Sequence, residues 1–153
     1  MQRLILCLVI LFVAAVSPGS AQPKKFGIGI VLGAPTGLSV KYWGSSREAV
    51  QGYVGGGFGG IAFGADYLFH SNAFDNAHFP FYWGPGVFIG PAVVGGPRFE
   101  SGKLGLGVRM ILGVDYLFPN DPIDIAFEAG PALVLSPKVG AGLEAGLAIR
   151  FYP

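Results

Sequence analysis

The sequence predicts an all-β fold, an up-and-down antiparallel transmembrane β-barrel of about eight strands. Three observations carry this. Residues 104–118 alternate strictly, with Leu104, Leu106, Val108, Met110, Leu112, Val114, Tyr116 and Phe118 on one parity and Gly105, Gly107, Arg109, Gly113 and Asp115 among those on the other. That period of two is a strand with one greasy face and one small or charged face. Charged residues are only 12% of the chain, against about 25% for soluble domains. Glycine is abundant, at 26 of 153 residues, against a usual ~7%. Beyond the N-terminus no apolar run reaches the ~18 residues a helical span needs, and a closed barrel is the other structure that satisfies its backbone in lipid.

Met1–Ala21 places Arg3 before an apolar stretch from Leu4 to Val16, then Ser17-Pro18-Gly19-Ser20-Ala21. This reads as a secretory signal peptide cut after Ala21, too short for a membrane helix. The remainder, 22–153, is expected to be one barrel domain. The lone cysteine, Cys7, lies inside the signal, so thiol and disulfide chemistry are not expected.

In chain order, Phe26–Gly33 alternates and gives a first strand; Ala34-Pro35-Thr36-Gly37 is a turn, with proline pre-setting φ and glycine tolerating positive φ. Strand two is Leu38–Trp43, followed by a polar connection at Gly44–Glu48. Strand three, about Val50–Phe58, is blurred by Gly55-Gly56-Gly57. Strand four, Ile61–His70, alternates clearly, and Ser71–His78 is a polar loop. Strand five, about Phe79–Val93, contains Pro85 and Pro91, which withhold ladder donors and favour edges or bulges. Gly95–Lys103 is a loop, Leu104–Phe118 strand six and Pro119–Pro122 a turn. Ile123–Leu135 and Ala141–Tyr152 complete the eight, the smallest usual outer-membrane barrel.

The charges sort onto one face. Lys41, Asp66, Arg109, Asp115, Asp124, Glu128, Glu144 and Arg150 share the glycine-bearing side, and the other charges fall in the tail, turns and loops. The greasy face is therefore expected outward against lipid, with a structural polar network inside. Aromatic residues gather at one set of strand ends: Phe26, Tyr42, Trp43, Tyr67, Phe69, Phe81, Tyr82, Trp83, Tyr116, Phe118, Phe151 and Tyr152. With an even strand count these share one rim, an interfacial girdle on the side of the termini.

Several stretches resemble a family of small, functionally uncharacterised bacterial outer-membrane barrels of the OmpA/OmpX type. They are F-G-I-G-I-V-L-G-A-P-T-G-L-S-V-K-Y-W at 26–43, A-D-Y-L-F-H at 65–70, P-F-Y-W-G at 80–84, G-V-R at 107–109 and D-Y-L-F-P-N-D-P-I-D-I at 115–125. The resemblance implies an eight-stranded barrel in the outer membrane, handled by the barrel-assembly machinery, and it brings no catalytic residues.

Other chemistry finds little footing. His70 and His78 flank Asp75 but lack a third ligand at a recognisable spacing, so solvated loop positions are expected and no metal or cofactor. Ser71 adjoins His70, yet neighbouring strand residues point to opposite faces, so a hydrolytic pair is not expected. Residues 22–153 carry nine basic and nine acidic side chains, and a net charge of zero gives no reason for a nucleic-acid partner. The expected role is structural or surface-interacting, without catalysis, as a monomer in lipid; a narrow channel is the runner-up and a lipid-modifying enzyme third. Folding strands six to eight about their turns sets Arg109 near Glu144, with Ala132 at the level of Glu144, and Arg150 near Asp124 and Glu128. Gly107→Ser, on the inner face, is expected to be far milder than Met110→Arg on the outer.

Overall fold

The computed structural model describes residues 25–57, 60–91, 104–136 and 139–153. The expected signal segment, Phe58, the end of the expected fifth strand at 92–93 and the loop at 95–103 lie outside the described residues. Eight strands follow in order: β1 Phe26–Gly33, β2 Thr36–Trp43, β3 Glu48–Gly57, β4 Gly60–Ser71, β5 Phe81–Pro91, β6 Leu104–Leu117, β7 Ile123–Ser136 and β8 Gly140–Phe151. Each pairs antiparallel with the next, and β8 closes on β1 from Ile28↔Phe151 to Gly33↔Gly146. The barrel has no free sheet edge.

Most boundaries differ from the sequence expectation by a residue or two. The β1–β2 turn is tighter than expected because β2 already begins at Thr36. Gly33 has φ +142°, and a Cβ there would run into the Ala145 carbonyl, so both conformation and space require glycine. Thr36 clamps this turn: its Oγ1 accepts from the Gly33 N–H at 3.0 Å and donates to the Gly33 carbonyl at 2.8 Å. Phe79 and Pro80 precede β5, and Tyr152 lies just past β8.

Burial is inverted relative to a water-soluble barrel. In β6 every second residue from Leu104 to Leu112 is exposed and apolar, while Gly105, Gly107, Arg109, Ile111 and Gly113 are buried. The interior contains Lys41, Asp66, Arg109, Asp115, Asp124, Glu128, Glu144 and Arg150, each under 9% exposed. Two apolar clusters pack among these charges. Tyr53, Phe88, Ala132 and Val134 pack at the end away from the termini. Val31, Ala49, Leu68, Tyr82, Ile111, Ala126 and Ala148 form the other cluster, with Trp43 against it.

The aromatic rim needs a correction. Phe26, Tyr42, Tyr67 and Trp83 are exposed on the outer face, and Phe69, Phe81, Tyr116, Phe118 and Phe151 are half-buried. Their rings form contacts such as Phe69–Trp83 at 4.9 Å and Tyr116–Phe118 at 4.6 Å. Trp43, Tyr82 and Tyr152 instead turn inward. Trp43 and Tyr82 share strand parity with Lys41 and Gly84, and in each of the three a polar ring atom finds a hydrogen-bond partner in the lumen.

Inner glycines seat these rings. A Cβ at Gly64 would collide with the Tyr53 ring, at Gly107 with Phe88, at Gly113 with Tyr82 and at Gly27 with Tyr152. Three of these are direct cross-strand partners: Tyr53↔Gly64, Tyr82↔Gly113 and Phe88↔Gly107. The glycines therefore make room for aromatic side chains rather than leaving the bore open.

Candidate functional site: the filled lumen

The polar interior is one connected network. Alternation along β6 aims Arg109 inward, where its guanidinium takes Asp66 bidentately, Nε to Oδ1 at 2.7 Å and Nη2 to Oδ2 at 2.5 Å. Its third arm, Nη1, donates to Glu144 Oε2 at 2.8 Å, and the planar group lies 4.3 Å from the centre of the Tyr53 ring. Planar fork geometry suits arginine to such double carboxylate recognition.

Gln51 links this cluster to the next. Its Nε2 donates to Glu128 Oε2 at 2.9 Å and Asp66 Oδ2 at 3.3 Å, while its Oε1 accepts from Arg150 Nη2 at 2.7 Å. Arg150 also reaches Glu128 Oε1 at 2.7 Å, Asp124 Oδ2 at 3.3 Å and Ser39 Oγ at 3.1 Å. Tyr82 donates to Glu128 Oε1 at 2.8 Å, and Tyr152 to Asp124 Oδ2 at 2.5 Å. Trp43 Nε1 in turn donates to the Tyr152 hydroxyl at 3.2 Å. Burial, then the Asp124 charge, holds the Tyr152 phenol well above its usual range, so it stays a donor.

Nearest the termini, Lys41 Nζ meets Asp115 Oδ2 at 2.5 Å and lies 4.6 Å from the ring centres of both Trp43 and Tyr82. His70 stacks between those same rings, at 4.2 Å and 5.0 Å, with Nε2 3.4 Å from Asp115 Oδ2 but not hydrogen-bonded to it. Among the described residues, His70 Nδ1 and Nε2, Asp115 Oδ1 and Asp124 Oδ1 are buried without a hydrogen-bond partner, although Arg150 Nη1 lies 3.8 Å from Asp115 Oδ1. Among the described residues, five buried carboxylates face three cationic side chains and His70.

The structure thus brings together Arg109 with Glu144, and Arg150 with Asp124 and Glu128. The registers differ in detail: Ala132 faces Gly142, and Glu144 faces Gly130, two residues from the expected level. Arginine's long stem spans the offset. Sequence reasoning missed Asp66 as the bidentate partner of Arg109, and missed Gln51 and Tyr53 as lumenal groups, whereas the strand-two alternation already set Ser39 on the face of Lys41. Plain alternation counted back from Gly55 would have placed Gln51 and Tyr53 inside. It also put His70 in a solvated position, whereas His70 is 6% exposed and lumenal, because β4 continues to Ser71. His78 and Asp75 are exposed loop residues, and among the described residues no group of three ligating side chains could hold a metal ion. Ser71 is exposed and His70 buried, so the two do not face one another.

Fold and interior together define a closed eight-stranded barrel whose bore is filled by ion pairs and aromatic rings. Residues 19–151 match the family of proteins of unknown function DUF3996, and the chain belongs to that family. No curated protein and no solved structure matches it.

Proposed function

We propose that the protein is an integral β-barrel of a bacterial outer membrane, carried across the inner membrane by residues 1–21 as a cleaved signal. Its role is structural or surface-interacting, without catalysis, and its partners are lipid and, during insertion, the barrel-assembly machinery; it acts as a monomer. The observation that carries this reading is the direction of its amphipathicity. Among the described strand residues facing outward, the polar ones other than tyrosine and tryptophan are Thr36, Glu48, Ser71 and Ser136, each the first or last of its strand. A wall so apolar is expensive in water and stable in hydrocarbon. Strands of 8 to 14 residues suit the ~9–11 needed for a tilted crossing.

The filled bore argues against the channel alternative. The inner cavity beside Gln51, Arg109 and Glu144 holds about 20 Å³, room for roughly one water. Fractionation tests the reading: the protein should sediment with outer membranes and stay there through alkaline carbonate washing. Recovery in the soluble periplasm would overturn it. In planar bilayers the purified barrel should show no steady single-channel conductance.

A further inference from the structure

Two breaks in the hydrogen-bonded wall flank one hairpin. The β4–β5 pairing runs from Phe63↔Ile89 to Asp66↔Gly86, then resumes at Phe69↔Trp83. The β6–β7 pairing likewise skips from Arg109↔Ala132 to Leu112↔Ala129. Between them β5–β6 is continuous, with Pro85↔Met110 at the same height. The β2–β3, β3–β4 and β7–β8 ladders run without such a gap. Proline causes both breaks: Pro85 and Pro131 have no N–H to offer across the seam. Gly84 and Gly130, just before them, press against the Tyr67 and Met110 carbonyls so closely that a Cβ on either would collide. The strands thus stay close-packed across both seams, as they are at Gly29 in the unbroken β1–β8 ladder.

Arg109 bridges both seams from within. Its bidentate bond to Asp66 crosses β5 to β4, and its bond to Glu144 crosses β7 to β8. Outside, at the same height, lies an apolar groove of about 810 Å³ lined by Tyr67, Pro85, Val108, Met110 and Pro131, with Asp66 and Arg109 at its base. Arg109 lines both this groove and the small inner cavity.

We propose that the β5–β6 hairpin is a lateral port in the barrel wall, latched by Arg109, which admits a single-chain amphiphile with a cationic head group from the surrounding lipid. The apolar groove fits the hydrocarbon chain. The charge of the head group follows from the lumen, where among the described residues five carboxylates face three cationic side chains and His70. When the guanidinium swings aside it leaves Asp66 and Glu144 unpaired, and an incoming ammonium replaces the charge it removed. An anionic head group would instead add to the negative charge there.

The lipid source of the ligand rests on the membrane reading above, but the test does not, because it uses the barrel refolded in neutral detergent. Amide hydrogen exchange in the middle of β5 and β6 should be at least tenfold faster than in β3–β4. Arg109→Met should accelerate it about tenfold further. Pro85→Ala with Pro131→Ala, which restores both donors, should slow it to the rate of β3–β4, and this variant serves should Arg109→Met not fold. Uniform exchange around the wall, indifferent to these substitutions, would overturn the port. Dodecylamine should shift the Gly86 and Ala132 amide resonances saturably, whereas dodecyl sulfate and dodecanol should not. Absent or equal shifts with all three would overturn the cationic ligand. A soluble protein in fractionation would sink the membrane reading without touching either result.

Discussion

Arg109 shows how much a single inner side chain carries. One guanidinium satisfies two carboxylates on strands to either side, and its side chain is only 3% exposed. Removing one partner of a buried ion pair costs about 3–5 kcal/mol, less where lumenal water reaches the orphan. Arg109→Met should therefore lower the urea midpoint of the refolded barrel by that order. Adding Glu144→Gln should recover only part of the loss, because Asp66 remains charged; adding Asp66→Asn as well should recover most of it. Additive penalties across the three positions would mean the groups do not interact. The Arg109–Glu144 pairing was legible because turn positions fix register to within two residues, an offset the long arginine stem spans. Asp66 was not, because it lies across β5, whose prolines obscure pairing, and because a guanidinium has a second edge that sequence spacing does not assign.

Among the strands, alternation made the facing readable, and Pro85 was readable as a misfit, whereas Pro131 and the matched pair of seams were not. Met110 points outward between Pro85 and Pro131, so Met110→Arg should cost roughly 2–4 kcal/mol near a bilayer midplane. The expectation that Gly107→Ser would be far milder does not survive the packing. The Phe88 ring occupies the space a Cβ at Gly107 would need, and the Leu133 carbonyl closes the other side at 2.7 Å. Gly107→Ser should thus destabilise comparably, and Gly113→Val, opposite Tyr82, should lose the compact form on unheated gels. Full retention of that form by Gly113→Val would show that the ring is free to move. These seats were hidden in the sequence because a glycine reads the same whether its place is empty or taken by a neighbour's ring. For the same reason Trp43, Tyr82 and Tyr152 could be assigned to the rim: an amphipathic aromatic suits a membrane interface and a polar lumen equally.

For the whole molecule, the central claim is that the barrel is inside out, with its apolar face in lipid and its ions within. Its two tryptophans lie on opposite sides of the wall: Trp83 is 41% exposed on the outer face, while Trp43 packs inward against His70 and Lys41. The most direct measurement is fluorescence quenching by bromine-labelled phospholipid chains in vesicles holding the refolded barrel. Trp43→Phe leaves Trp83 as reporter, and Trp83→Phe leaves Trp43. Trp83 should be strongly quenched and Trp43 only weakly. Equal quenching of both, or a Trp83 that the brominated lipid does not reach, would contradict it.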